Sequence, residues 1–129
     1  MPFNGFAVLA AAVSAFVLGG LWYGPLFKQA WCREAGIDVH GVQRHPAAVF
    51  GTAFVAALVA AAAFAWWLGP MPELEYAVRH GVLAGFGIAA MSFGVNYAFA
   101  GRSLKLWLID GGYHTLQFAL YGMILGAWH

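Results

Sequence analysis

Asp110, His114, Gln117 and Tyr121 are spaced four, three and four residues apart, which on a helix sets all of them along one face. An acid and an imidazole one turn apart are within reach of each other, and their common chemistry is proton or cation handling. Burial favours a neutral Asp110, whereas a protonated His114 favours its ionised form, so the two are expected to titrate as a pair. Trp22, Tyr23, Asn96 and Tyr97 close two other apolar runs at the same expected level, where they would complete a polar intramembrane site as hydrogen-bonding partners. A plainer account covers the same residues. Trp22, Tyr23 and Tyr97 would form an interfacial aromatic belt, Asn96 would bond a neighbouring helix, and Asp110 would pair locally with His114.

The elements that must position these groups follow from composition. Of 129 residues, 63% are hydrophobic and 9% charged, against about 25% charged in soluble domains. A soluble domain of this size has too much surface to cover with so few polar groups, so lipid is the expected solvent. A spanning helix needs about 20 mainly apolar residues. Four runs meet that length, at residues 3–27, 47–69, 77–100 and 104–128, the last interrupted by Lys105 and Asp110. The expected fold is all-α: a polytopic membrane protein with four transmembrane helices in an antiparallel bundle, forming a single domain over residues 1–129. The first run lacks a basic leader and exceeds the length of a signal-peptide core, so it reads as a retained helix. Gly24-Pro25, the Gly69-Pro70-Met71-Pro72 stretch and Gly101-Arg102-Ser103 supply the breaks, and residues 28–46 form the one long loop, with a short helix ending at Gly36. Lys28, Arg33, Arg44, Arg102 and Lys105 flank one side, against Arg79 with Glu73 and Glu75 on the other. The positive-inside rule then sets the first and third loops in the cytoplasm and both termini outside.

Glycines recur four apart at Gly20 and Gly24, Gly81 and Gly85, and Gly122 and Gly126, the second pair continued by Ala89, Ser92 and Asn96. Small faces of this kind let helix backbones approach closely, and helix packing is their expected role. Several such faces on short helices also suggest a homo-oligomer or a subunit of a membrane complex. Cys32 is the single cysteine, so disulfide and Cys-x-x-Cys chemistry are excluded. His40 and His45 are loop residues, and three ligands with fixed geometry are not evident, so no metal is expected. Hydrolase, metalloprotease and phosphate-loop motifs are absent. A haem would need an axial ligand such as His114 with nothing further to support it, and no cofactor is predicted. With a net charge of +1 and no basic run, nucleic acid is not an expected partner, whereas the lipid bilayer is.

Four segments carry a resemblance through almost the whole chain: Leu21-Trp22-Tyr23-Gly24-Pro25 with Trp31, Gly94-Val95-Asn96-Tyr97, residues 102–108, and Asp110-Gly111-Gly112-Tyr113-His114. In these the chain resembles the DUF1761 family of small bacterial four-helix integral membrane proteins. The resemblance implies a multi-pass protein of the bacterial cytoplasmic (inner) membrane and carries no activity to transfer. Three functions fit the residues. A small transporter or channel component with a cytoplasm-facing polar vestibule leads, because an intramembrane Asp-His pair suits proton or cation movement. A membrane scaffold or accessory subunit is the second, and a cofactor-binding membrane enzyme the third.

Overall fold

The computed structural model describes residues 4–36 and 46–129. The loop residues His40, Arg44 and His45, and the first residue of the 3–27 run, lie outside the described residues. Every described element is helical. Helix α1 (Gly5–Leu21) continues through a wide π-helical turn (Trp22–Leu26), and a short helix α2 (Lys28–Ala35) follows. Helix α3 (Pro46–Leu68) comes next. Helix α4 (Leu74–Val82), a second π-helical stretch (Leu83–Ala90) and α5 (Met91–Ala100) make one continuous rod, and α6 (Leu104–Ala127) closes the chain. Five helical rods result, four long ones and the short helix α2, which ends at Gly36 as its sequence leads one to expect. The third rod starts at Leu74, three residues before its expected start at 77, because Glu73 already stands at its N-cap.

Local chemistry sets these boundaries. The Asn4 side chain accepts from the Phe6 amide at 2.9 Å and starts α1, and Ser103 does the same for α6 through the Leu106 amide at 3.1 Å. Gly36 and Gly101 close α2 and α5 with φ of 74° and 70°, a left-handed conformation that costs glycine no Cβ clash. Inside the first rod, Pro25 cannot donate a backbone hydrogen bond and Gly24 leaves helical geometry, so the chain kinks there and turns into α2.

Helix α6 is the hub, touching α1, α2, α3, α4, the wide turn 83–90 and α5, while α3 lies mainly against α1. Asn4, Leu68, Met71, Pro72 and Trp128 line one small hollow, so α1 and α4 begin where α3 and α6 end. At the other end Arg102 donates to the Ala35 carbonyl at 3.1 Å, which fastens α2 to the turn between α5 and α6.

The interior is made of small side chains and the exterior of large ones. Ala7, Ala11, Ala12, Ala15 and Ala61 are fully buried, whereas Phe99 is 91% exposed, Phe6 74% and Trp66 70%. In water this distribution would forfeit the hydrophobic term, since the largest apolar side chains would stay hydrated. In lipid it is the expected one: apolar bulk outside costs nothing and small residues inside allow close helix contact. Three helices, Gly5–Leu26, Ala47–Leu68 and Leu74–Ala100, are long and apolar enough to cross a membrane. Three such candidate spans point to a multi-pass membrane protein.

Two glycine pairs form the tightest seam. A Cβ added to Gly81 would lie 2.2 Å from the Phe118 carbonyl oxygen, and one on Gly85 2.5 Å from that of His114. From the other side, a Cβ on Gly122 would lie 2.3 Å from the Ala77 carbonyl oxygen and one on Gly126 2.8 Å from the Leu74 Cα. Each helix thus supplies glycines that admit the other's backbone. The expected packing role of Gly20 and Gly24 is corrected: a Cβ on either meets nothing within 4 Å. Gly19 packs instead, against the ring of Tyr113.

Candidate functional site

Asp110, in the second turn of α6, and the polar residues that follow it on that helix build two clusters. Asp110 lies about 9 Å along the axis from Leu104 at ~1.5 Å per residue, and it is only 8% exposed. Tyr23, from the wide turn of the first rod, donates its hydroxyl to Asp110 Oδ1 at 2.5 Å. Tyr97, from α5, donates to Oδ2. Each carboxylate oxygen therefore accepts one phenol, and the cluster joins three rods. Two phenols donating to one carboxyl group suit its ionised form, whose oxygens can only accept. Yet neither ion pair among the described residues reaches it: one joins Arg33 to Glu34 and the other Arg79 to Glu75.

The walls of this cluster are aromatic. Trp22 donates its indole N–H to the Ile109 carbonyl at 2.8 Å and lays its ring against Gly112, where an added Cβ would come within 3.0 Å of it. Trp107 donates to the Ala90 carbonyl at 2.8 Å across the wide turn of the third rod, with its ring over Gly94. Tyr113 donates to the Ala15 carbonyl at 2.9 Å, and its ring stands 5.4 Å from that of Tyr23. Trp31 of α2 approaches Tyr23 edge-on at 5.1 Å. Glycines at 94, 111 and 112 make room for these rings beside the acid.

His114 belongs to the second cluster. Its Nδ1 lies 2.5 Å from Gln117 Oε1, Gln117 Nε2 donates to the Tyr121 hydroxyl at 2.7 Å, and Tyr121 donates to the Ala57 carbonyl of α3 at 2.9 Å. The end of this chain fixes its direction. Tyr121 has one proton and gives it to a carbonyl, so Gln117 must donate to Tyr121 and turn its oxygen to His114, whose Nδ1 must then carry the hydrogen. Nε2 is left as the nitrogen that takes a proton. Phe93 stacks on the imidazole with centroids 5.0 Å apart and planes 16° apart.

The structure thus gathers Asp110 with Tyr23, Tyr97 and Trp22, and separately His114 with Gln117 and Tyr121. It does not make the expected direct pair: no His114 nitrogen lies within ion-pair distance of Asp110, because Gln117, three residues on, takes Nδ1 and the two tyrosines occupy the carboxylate. Asn96 does not join either cluster. It is exposed on the outer side of α5 and makes no side-chain hydrogen bond among the described residues. The residues that composition and spacing missed are Trp107, Tyr113, Phe93 and Trp31. Tyr113 stands three residues after Asp110, on the same side of the helix, and was open to detection by the same spacing that gave the stripe.

Among the described residues no group of three histidine, cysteine or acidic side chains could hold a metal ion. The hard oxygens present are one carboxylate and two phenols, a set with the charge for one proton or one monovalent cation and too little for a divalent ion.

A helical membrane protein with a carboxylate–phenol cluster buried near one end of its bundle is the class these features define. The chain matches the model of a family described as protein of unknown function (DUF1761) over residues 6–126, and it belongs to that family. No curated protein and no solved structure matches it.

Proposed function

We propose that the chain crosses the bilayer four times, with α6 as the fourth span, and that it takes up a proton or a monovalent cation at Asp110 from the cytoplasmic side, as a small transporter or channel component. One observation carries this reading: a carboxylate 8% exposed, held by two phenols, that no ion pair among the described residues reaches. An uncompensated charge in such a place is costly, and a proton or a cation removes the cost. His114 Nε2, one turn further along α6, supplies a second proton-accepting atom on the same helix. The orientation rests on Lys28, Arg33, Arg102 and Lys105, which stand at the Asp110 end of the bundle, while Arg79 stands at the other. Proteoliposomes carrying the purified protein and a pH-sensitive dye test the proposal. A proton or potassium gradient should dissipate faster with the native protein than with Asp110→Asn. Equal rates for both proteins would refute it.

A scaffold or accessory-subunit role is the second reading, favoured by the same cluster seen mechanically. Asp110, Tyr23 and Tyr97 tie three rods together with hydrogen bonds alone. On that reading the protein self-associates or joins a larger complex through its large exposed apolar side chains, and Asp110→Asn alters stability without any flux to lose.

A further inference from the structure

At the Asp110 end, the kink after α1 and the first turns of α2 enclose a concavity lined by Gly24, Pro25, Leu26, Lys28, Gln29, Ala30 and Arg33. It carries two cationic side chains and a carboxamide, and no acid among the described residues lines it. The neighbouring Glu34 does not line it but accepts from Arg33 Nε at 3.5 Å, which leaves the terminal guanidinium nitrogens to face a ligand. The Arg33 terminal nitrogens have no partner among the described residues, and neither does the Lys28 ammonium. Gln29 and Arg33 are four apart, so they share one side of α2.

The concavity opens next to an apolar track. Leu9, Val13, Val17 and Leu21 recur every four residues on α1, are 45%, 46%, 57% and 53% exposed, and lead to Leu26, itself 63% exposed. From Leu9 to Leu21 the track runs about 18 Å at ~1.5 Å per residue, comparable with one acyl chain in a leaflet. A cationic, hydrogen-bonding hollow at the end of a candidate span, with Leu26 in its lining and the exposed apolar face of α1 beyond it, has the two chemistries of an anionic phospholipid in their proper order.

We propose that this is a binding site for an anionic phospholipid, its phosphate held by Lys28, Gln29 and Arg33 and one acyl chain laid along Leu21, Val17 and Val13. The site is independent of Asp110, whose carboxylate does not line it. A free phosphate would use the same cations but would draw nothing from the apolar track.

The full-length protein, stripped of lipid in detergent, would be titrated with phosphatidylglycerol, phosphatidylcholine and inorganic phosphate, and lipid retention read by native mass spectrometry. One phosphatidylglycerol should be retained in preference to phosphatidylcholine, and millimolar inorganic phosphate should not displace it. Removing both charges in K28Q/R33Q should weaken retention roughly thirtyfold, about one factor of five per surface cation. V17A/L21A should weaken it several-fold, and K28R/R33K should preserve it. Since all four side chains are exposed, the variants should melt as the native protein does. If K28Q/R33Q nevertheless melts early, K28Q alone decides the matter through a roughly fivefold loss. Equal retention of the two lipids, unchanged retention after charge removal, or displacement by inorganic phosphate together with no effect of V17A/L21A would each overturn the proposal, the last by assigning the site to free phosphate.

Discussion

Along α6, residues 104–115 meet their neighbours through a carboxylate, an imidazole and a ring of aromatic side chains, whereas residues 116–127 meet α4 through glycine. In the first half, contact is made by long side chains reaching from other rods to Asp110 or to backbone carbonyls: Trp22 to Ile109, Trp107 to Ala90, Tyr113 to Ala15. From His114 onward backbone meets backbone, at Gly85 first and then at Gly81 and Gly122. The difference separates two tasks. Glycine packing needs only shape, and the face of α6 that meets α4 carries no group with further chemistry, while Gln117 and Tyr121 of the same half bond to His114 and to the Ala57 carbonyl of α3. The aromatic half makes its contacts with side chains and encloses an acid that neither ion pair among the described residues reaches.

Gly122→Leu should break that comparison most violently. Its Cβ alone would stand 2.3 Å from the Ala77 carbonyl oxygen and 2.9 Å from the Val78 Cα, backbone atoms that cannot swing aside. Overpacking of this kind costs about 3 kcal/mol or more, and in this bundle it should separate α4 from α6. Thermal melting in detergent would register the loss. Gly20→Ala is the matched control: with open space around it, it should be neutral or stabilising by up to ~1 kcal/mol through helix propensity. Equal destabilisation by the two changes would mean that the seam is not where the bundle is held.

The aromatic half should respond less to size and more to hydrogen-bonding capacity. Asp110→Ala removes the acceptor of two phenols and should cost about 2 kcal/mol, the penalty of leaving buried donors unpaired. Asp110→Asn keeps one acceptor and should cost about half as much. Tyr23→Phe and Tyr97→Phe should each cost ~1 kcal/mol, and the double variant should deviate from their sum because both act through one carboxylate. Strict additivity in that cycle, measured by reversible unfolding in mixed micelles, would count against a single shared cluster.

How far the sequence discloses this arrangement depends on whether the helix keeps its phase. The stripe on α6 reads correctly from spacing, since α6 is uninterrupted and Asp110, Gln117 and Tyr121 are all buried. On the third rod the same method fails after Gly85. The wide turn at 83–90 inserts residues at more than 3.6 per turn, so the face that touches α6 runs through Gly81, Gly85, Ala90, Gly94 and Tyr97, with one step of five. An ideal helical wheel, continued through Ala89 and Ser92, arrives at Asn96 instead and turns it inward by mistake. The division of Asp110 from His114 is invisible for another reason. Spacing says which groups can meet on one helix, but the tyrosines that capture the carboxylate come from residues 87 and 13 positions away.

The smallest effect concerns α2, which covers the aromatic half and has no counterpart over the glycine half. Its Glu34 carboxyl is held below the usual carboxylate range, first by the Ser103 hydroxyl, against desolvation as the next effect, with Arg33 and then Lys105 adding smaller lowering contributions. A group whose folded pKa is lowered stabilises the docked state above its undocked pKa, and that contribution disappears as pH falls through the docked value. Docking of α2 should therefore be unaffected from neutral pH down to the ordinary carboxylate range and loosen below it. Cys32 reports on this directly, because it is buried in the docked helix and is the chain's one cysteine. Its labelling rate by a thiosulfonate reagent, divided at each pH by that of a free thiol, should rise as the solution is acidified past that range. Glu34→Gln, which keeps a hydrogen-bonding group beside Ser103 but has no proton to gain, should give a flat profile. A flat profile for the native protein as well would show that Arg102 and the Ala35 carbonyl hold α2 without help from Glu34.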